Sequence, residues 1–313
     1  LKGISGPVDA YAILGEHEAS VVAEARHSAA SSSLVGRETE ITMLMDRWNH
    51  AKENEGQVFV LSGEAGIGKS QISTSLINNL AGQPHRILQF QCSPYYASTA
   101  LFPFIGYLER EAGFVRSDDD NQKLDKLETL LSGLFEDITP VAALFAALLS
   151  LPLDRYPPIE LEPLKQREET LKAFVEFVRH QAQQSPLLML FEDAHWCDAT
   201  SLELLGNLID QIHDLPVLQL ITHRPEFQPP WSASGHVTHY NLNRLTKRHS
   251  TAIIETVTGG KSLPDKIVDQ ILTKTDGIPL FVEELTKTIL DAGFLIEEEN
   301  AFRLDGPLPP FAI

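Results

Sequence analysis

Cysteine is scarce in this sequence: Cys92 and Cys197 are the two present, far apart along the chain. A disulfide framework is therefore not indicated, and a reducing, cytoplasmic setting is expected. Basic residues are also few. Lys and Arg number 25 against 43 Asp and Glu, a formal net charge of -18. That balance lacks the basic stripe of a nucleic-acid footprint, so no nucleic-acid partner is expected for this chain. No apolar run approaches the roughly 18 residues that span a bilayer, so no membrane partner is expected either. No Cys/His metal pattern occurs, because His195 and Cys197 form an H-x-C too short for one. There is no signal peptide. The chain begins at Leu1 and ends at Ile313 after Pro309-Pro310. It reads as a piece of something longer, so missing targeting signals say little about the parent.

What is present starts with a glycine loop. Gly63-Glu64-Ala65-Gly66-Ile67-Gly68-Lys69-Ser70 fits G-x-x-x-x-G-K-[ST]. Val58-Phe59-Val60-Leu61 before it reads as a buried strand. Gln71 to Leu80 after it reads as a helix with Ile72, Leu76, Ile77 and Leu80 on one face. Strand, loop and helix are the context a phosphate-binding loop requires. Phosphates approach the backbone closely, hence residues without a Cβ. N–H groups and the helix start then face the anion. Lys69 would reach the β- and γ-phosphates, and Ser70 would bind Mg²⁺. The expected nucleotide set runs from Gly63 through Gln71, with ATP or ADP and Mg²⁺ as cofactors.

At 313 residues the chain suggests about two domains. Residues 1–33 read as a short tail and a linker rich in Ala, Ser and Glu. Glu38 to Ala51 carries Ile41, Leu44, Met45 and Trp48 at helical spacing. Arg86 to Cys92 reads as a strand, and helices are expected at 101–113, 124–134, 141–149 and 164–183. Asp118-Asp119-Asp120 reads as a solvated turn. Leu187 to Phe191 is a continuous apolar run, as in a parallel sheet buried on both faces, and Val217 to Thr222 reads as the next buried strand. Alternating strands and helices imply an α/β fold with right-handed crossovers. From Leu245 the texture becomes helical, with helices expected at 246–258, 263–274 and 279–292 in a separate small domain. Residues 294–304 suggest a hairpin.

Two further sites follow from the strand ends. Glu192-Asp193 closes an apolar strand, where an acid can hold Mg²⁺ and its neighbour can orient the attacking water. Which acid does which stays open, and two acids at a strand end can be merely solvated. Arg224 follows the next strand and can point at the γ-phosphate, because strand C-termini line ligand crevices in such sheets. Lys69, Glu192, Asp193 and Arg224 are thus the candidate catalytic residues. Ser70, Glu192 and Asp193 are the candidate metal ligands.

Val35-Gly36-Arg37-Glu38, the loop Gly63 to Ser70, Glu192 to Asp198, Thr222-His223-Arg224-Pro225 and Asp276-Gly277-Ile278-Pro279-Leu280 occur in that order. The series resembles the origin-recognition-like AAA ATPase domain of STAND-class signal-transduction NTPases. It is most similar to the module that follows a class III adenylate/guanylate cyclase domain in large bacterial regulators. The resemblance implies a P-loop NTPase core over 34–244, a helical lid over 245–293 and a truncated winged-helix start over 294–313. Leu1 to Leu14 is similar to the tail of the cyclase domain. It also implies that Val35 and Arg37 contact the adenine end, that Arg224 sits at the sensor position, and that Pro279 packs on the adenine. Linked partners would be a cyclase domain before and tetratricopeptide repeats after, and a nucleotide-dependent homo-oligomer is a further expectation. Glu192 departs from the family, where many members have Asp.

These readings converge on a Mg²⁺-dependent, slow ATPase acting as a regulatory switch in a multidomain bacterial signalling protein. One alternative is a nucleotide-binding scaffold with negligible hydrolysis. Another is the ATPase module of a DNA-binding transcriptional regulator, for which this chain offers no basic recognition helix.

Overall fold

The structure is a computed structural model that describes residues 34–231, 235–293 and 295–305. The chain divides into two units, Leu1–Ser33 and Leu34–Ile313. The cyclase-like tail and linker expected in the first unit lie outside the described residues. So do Phe294 and residues 306–313, where the expected winged-helix region would continue.

The second unit is built on a sheet of five strands: β1 (Gln57–Ser62), β2 (Arg86–Gln91), β3 (Leu187–Glu192), β4 (Val217–His223) and β5 (Val237–Asn241). Their order is β2-β3-β4-β1-β5, and each neighbouring pair is parallel. The apolar runs explain the centre of this sheet. Every residue of β1 and β4 is buried, as are the first five of β3. Alternate side chains go to opposite faces. Val58, Val60, Leu187, Met189 and Phe191 enter one core, and Phe59, Leu61, Leu188 and Leu190 enter the other.

Helices α1 (Glu38–Lys52) and α2 (Lys69–Leu80) cover the second face, through Leu44, Trp48, Ile72 and Leu76. Helices α3 (Phe102–Glu111), α4 (Asp120–Ser132), α5 (Thr139–Leu148), α6 (Pro163–Gln184) and α7 (Ala199–Gln211) cover the first. The fold is thus α/β, a parallel sheet between helices.

Helices α8 (Lys247–Val257), α9 (Asp265–Thr275) and α10 (Pro279–Asp291) follow, with a hairpin of β6 (Leu295–Glu297) and β7 (Phe302–Leu304). They share a core of their own around Ile254, Ile267, Ile271 and Val282.

Two expectations need correction. Strand β5 was not expected. Val-Thr-His-Tyr-Asn is neither an apolar run nor a clean alternation, and as an edge strand pairing only with β1 it need not be. The acidic turn at 118–120 is not merely solvated. Asp119 caps α4 in a reciprocal capping box with Gln122, and Asp118 pairs with Lys126 at 2.6 Å.

Candidate functional site

The glycine loop leaves β1 and turns into α2. Gly66 and Gly68 have φ of +75° and +102°, conformations that disfavour a side chain. At Gly63 space is the constraint, since a Cβ would sit 2.7 Å from the Ile67 side chain. Ile67 is buried in the core and pins the loop from below. Helix α2 starts at Lys69, and no side chain caps it, because its N-cap is Gly68. The first N–H groups of a helix have no intrahelical acceptor. Here they are left to an anion, and the glycine cradle leaves the room for one. The residues therefore fit a phosphate chain.

Lys69 is folded back onto its own loop. Its Nζ donates to the carbonyls of Gly63 at 2.7 Å and Glu64 at 3.0 Å. Burial pulls its pKa below the ordinary lysine value, while Asp193 works in the opposite direction. Ser70 is exposed at the mouth of the loop.

The acids stand at the end of β3. Glu192 accepts a hydrogen bond from Gln89 Nε2 at 3.2 Å. Asp193 lies in the left-handed region, φ 59°, and its N–H donates to Thr222 Oγ1 on β4 at 3.0 Å. Half of its side chain is exposed, and His195 Nδ1 lies 3.9 Å from it. Both His195 ring nitrogens are buried without a hydrogen-bond partner, and burial pulls its pKa down. Arg224 is exposed just past β4, its guanidinium 5.6 Å above the Trp196 ring. Among the described residues, no cluster of three His, Cys, Asp or Glu side chains could hold a metal. A Mg²⁺ ion would accordingly take phosphate oxygens, water, the Ser70 hydroxyl and one of the two acids, a donor set that suits it. Bound there, it would neutralise charge on the β- and γ-oxygens.

Helix α10 packs against this loop. Leu280 N–H at the start of α10 donates to Gly66 O at 3.2 Å. A Cβ on Gly66 would meet Leu280 and Ile278 at 3.0–3.3 Å. Pro279 is the first residue of α10 and is buried. Arg244 bridges the two parts, pairing with Glu64 of the loop at 2.8 Å and with Asp276 before α10. Glu283 on α10 is held above the usual carboxylate range by burial, against the lowering effects of Lys287 and a hydrogen bond with Gln71.

Not every candidate falls beside the loop in the same way. Arg37 is buried as a brace, donating to Ile67 O at 3.1 Å and Asn243 O at 2.9 Å and pairing with Glu40. Val35 packs against the helical domain's core. The partners Arg244, Gln89 and Glu283 carry no signal in the sequence. Each is an ordinary polar residue whose role exists only once strand order and the packing of α10 are known.

Residues 33–221, more than half of the chain, match the family described as AAA ATPase domain. The chain belongs to the AAA ATPase family. This AAA ATPase is 26% identical over 296 residues to the uncharacterized protein R02095 of Rhizobium meliloti (strain 1021). The match takes in 92% of this chain but spans only 28% of that protein's length. A structure of Drosophila ORC bound to DNA contains a chain similar to it at 14% identity and TM-score 0.46, covering 92% of this chain and 66% of the other. That likeness is too distant to carry an argument. Among the described residues, no helix of this AAA ATPase is long and apolar enough to cross a membrane.

Proposed function

We propose that this chain is an ATP-dependent switch in which nucleotide held by the glycine loop sets the position of the helical lid. The observation that carries it is the direct link between the two parts. Leu280 N–H binds the Gly66 carbonyl, and Arg244 joins Glu64 to Asp276. Phosphates seated on Gly63–Ser70 would draw Lys69 Nζ off the carbonyls of Gly63 and Glu64. The loop and the lid contacts on it would then adjust together. A switch of this kind needs different affinities for two lid positions, not fast turnover.

In hydrolysis, Lys69 would stabilise charge on the β- and γ-phosphates, and Arg224 would face the γ-phosphate. Asp193 or Glu192 would orient the attacking water, with the other acid and Ser70 on Mg²⁺. Glu192 is engaged by Gln89, which favours slow turnover. The same contact favours the scaffold reading, in which nucleotide is held but hardly hydrolysed. Val35, Arg37 and Pro279 are assigned to the adenine end by the motif resemblance. Arg37, which donates to Ile67 O and Asn243 O, would serve that end by supporting the loop.

The ordered motif series supports a STAND-class module, cytoplasmic, joined in its parent to a cyclase domain before and tetratricopeptide repeats after. That the chain spans 28% of its relative's length is consistent with a larger multidomain parent. Phosphate release from the wild type, Lys69→Ala, Glu192→Gln and Asp193→Asn tests the ATPase reading. Slow release that each variant reduces supports it. Nucleotide retained by the wild type with no detectable release replaces it with the scaffold.

A further inference from the structure

Cys92 and Cys197 take no part in the site described above, yet the fold brings their sulfurs within 2.7 Å of one another as free thiols. The placement is set by the backbone. Strands β2 and β3 run side by side with Gln91 opposite Glu192. Cys92 N–H donates to Glu192 O at 3.2 Å where the two strands end. The chain then makes one tight turn, Ala194–Trp196, and Cys197 N–H closes it on Ala194 O at 3.1 Å. Asp198 next to it caps α7 through Thr200 and Ser201 N–H at 2.9 and 3.0 Å, and also accepts from Leu101 N–H at 3.2 Å. Both cysteines are therefore held from either side, and their meeting is a property of the sheet order.

We propose that Cys92 and Cys197 form a reversible disulfide site that controls the turn carrying Glu192 and Asp193. Disulfides in a reducing compartment are usually transient and redox-sensing. The oxidant required is a hydroperoxide. One thiol attacks its O–O bond and becomes a sulfenic acid, releasing water or an alcohol. The second sulfur displaces water from the first, forming the S–S bond. Two thiols lose two protons and two electrons, and the peroxide takes up both. A dithiol reductant reverses the change by exchange. Both cysteines are half-buried, so neither is sealed in the core.

The bond would tie the end of β2 to the turn between Asp193 and α7. Glu192 is already coupled to β2 through Gln89, and Trp196, adjacent to Cys197, lies beneath Arg224. Oxidation would thus immobilise the acids and the Arg224 platform together and slow turnover. This functional half rests on the proposed ATPase reading; the bond itself does not.

The test uses the full chain, reduced and freed of reductant, then titrated with hydrogen peroxide. Thiols are mapped by alkylation and peptide mass spectrometry, and Tm and phosphate release are followed on the same samples. The expected result is a linked Cys92–Cys197 peptide pair, a Tm raised by loop closure and a several-fold fall in phosphate release, all reversed by dithiothreitol. Cys92→Ser and Cys197→Ser, made separately in case one folds poorly, should keep their turnover and lose the response. Two thiols still alkylated after peroxide, or over-oxidised thiols without the linked pair, would overturn the site. A complete bond with unchanged phosphate release would overturn the control. If the reduced protein releases no phosphate, the ATPase reading has failed instead. The linked pair and the Tm then decide the site, and nucleotide affinity before and after peroxide decides the control.

Discussion

Lys69 must exchange partners to work. Its Nζ now satisfies two loop carbonyls, and a phosphate chain has to replace them. Charge-assisted hydrogen bonds contribute roughly 1.5–3 kcal/mol, so Lys69→Ala should weaken nucleotide binding about 10–100-fold. Fluorescent-nucleotide titration measures this, with circular dichroism to show the fold intact. Because burial depresses the Lys69 pKa, its charge is lost on the alkaline side before pH reaches the ordinary 10.5. Nucleotide affinity should accordingly decline earlier with rising pH than an exposed lysine would allow. The neighbouring histidines act on stability in the opposite direction of pH. Burial lowers the pKa of both His195 and His223 below 6.5. As pH falls through about 6.5 the unfolded chain takes up protons there while the folded chain does not, so stability is lost. Tm should drop as pH falls below about 6.5, and His195→Phe should flatten that drop. At this scale the glycine loop and the acids of β3 were readable because each residue type is dictated by the ligand or the backbone. His195 was not, since nothing local to it says that its ring nitrogens are buried without a hydrogen-bond partner.

At the scale of elements, the junction between α10 and the glycine loop holds the account together. Gly66 is constrained twice, by φ of +75° and by Leu280 and Ile278 above it. Gly66→Ala should therefore weaken phosphate binding and lid docking at once, seen as lost nucleotide affinity together with faster proteolysis of residues 245–293. Gly277 is tighter still, with φ of +74° and a Cβ that would fall 2.4 Å from Leu245 O. Burial raises the Glu283 pKa in the folded chain, so the stability it contributes is lost as pH rises through that raised value. Glu283→Gln should remove this dependence, read as Tm across pH. The helices of this domain were legible from their apolar spacing, and Pro279 marked the start of α10. That α10 lands on Gly66 was not legible, because Leu280 N–H and Gly66 O meet through tertiary packing alone.

For the whole molecule, the parallel sheet was visible where it is buried on both faces and invisible at its edge. Strands β1, β3 and β4 are buried and mostly apolar, whereas β5 pairs along one side only and needs no such signature. The same limit hid the contact of Cys92 with Cys197. Sequence distance suggested no link, and it is the adjacency of β2 and β3 that creates one. Sheet order also decides which acids, cations and glycines share one crevice, and the lid completes it from a core of its own. In the proposed switch, nucleotide on the glycine loop moves the helices α8–α10 that touch it through Leu280. Limited proteolysis of residues 245–293, with and without saturating ATP and Mg²⁺, in the wild type and Lys69→Ala, tests this most directly. The cleavage pattern should change with nucleotide in the wild type and stay unchanged in Lys69→Ala. An identical pattern with and without bound nucleotide in the wild type would contradict it.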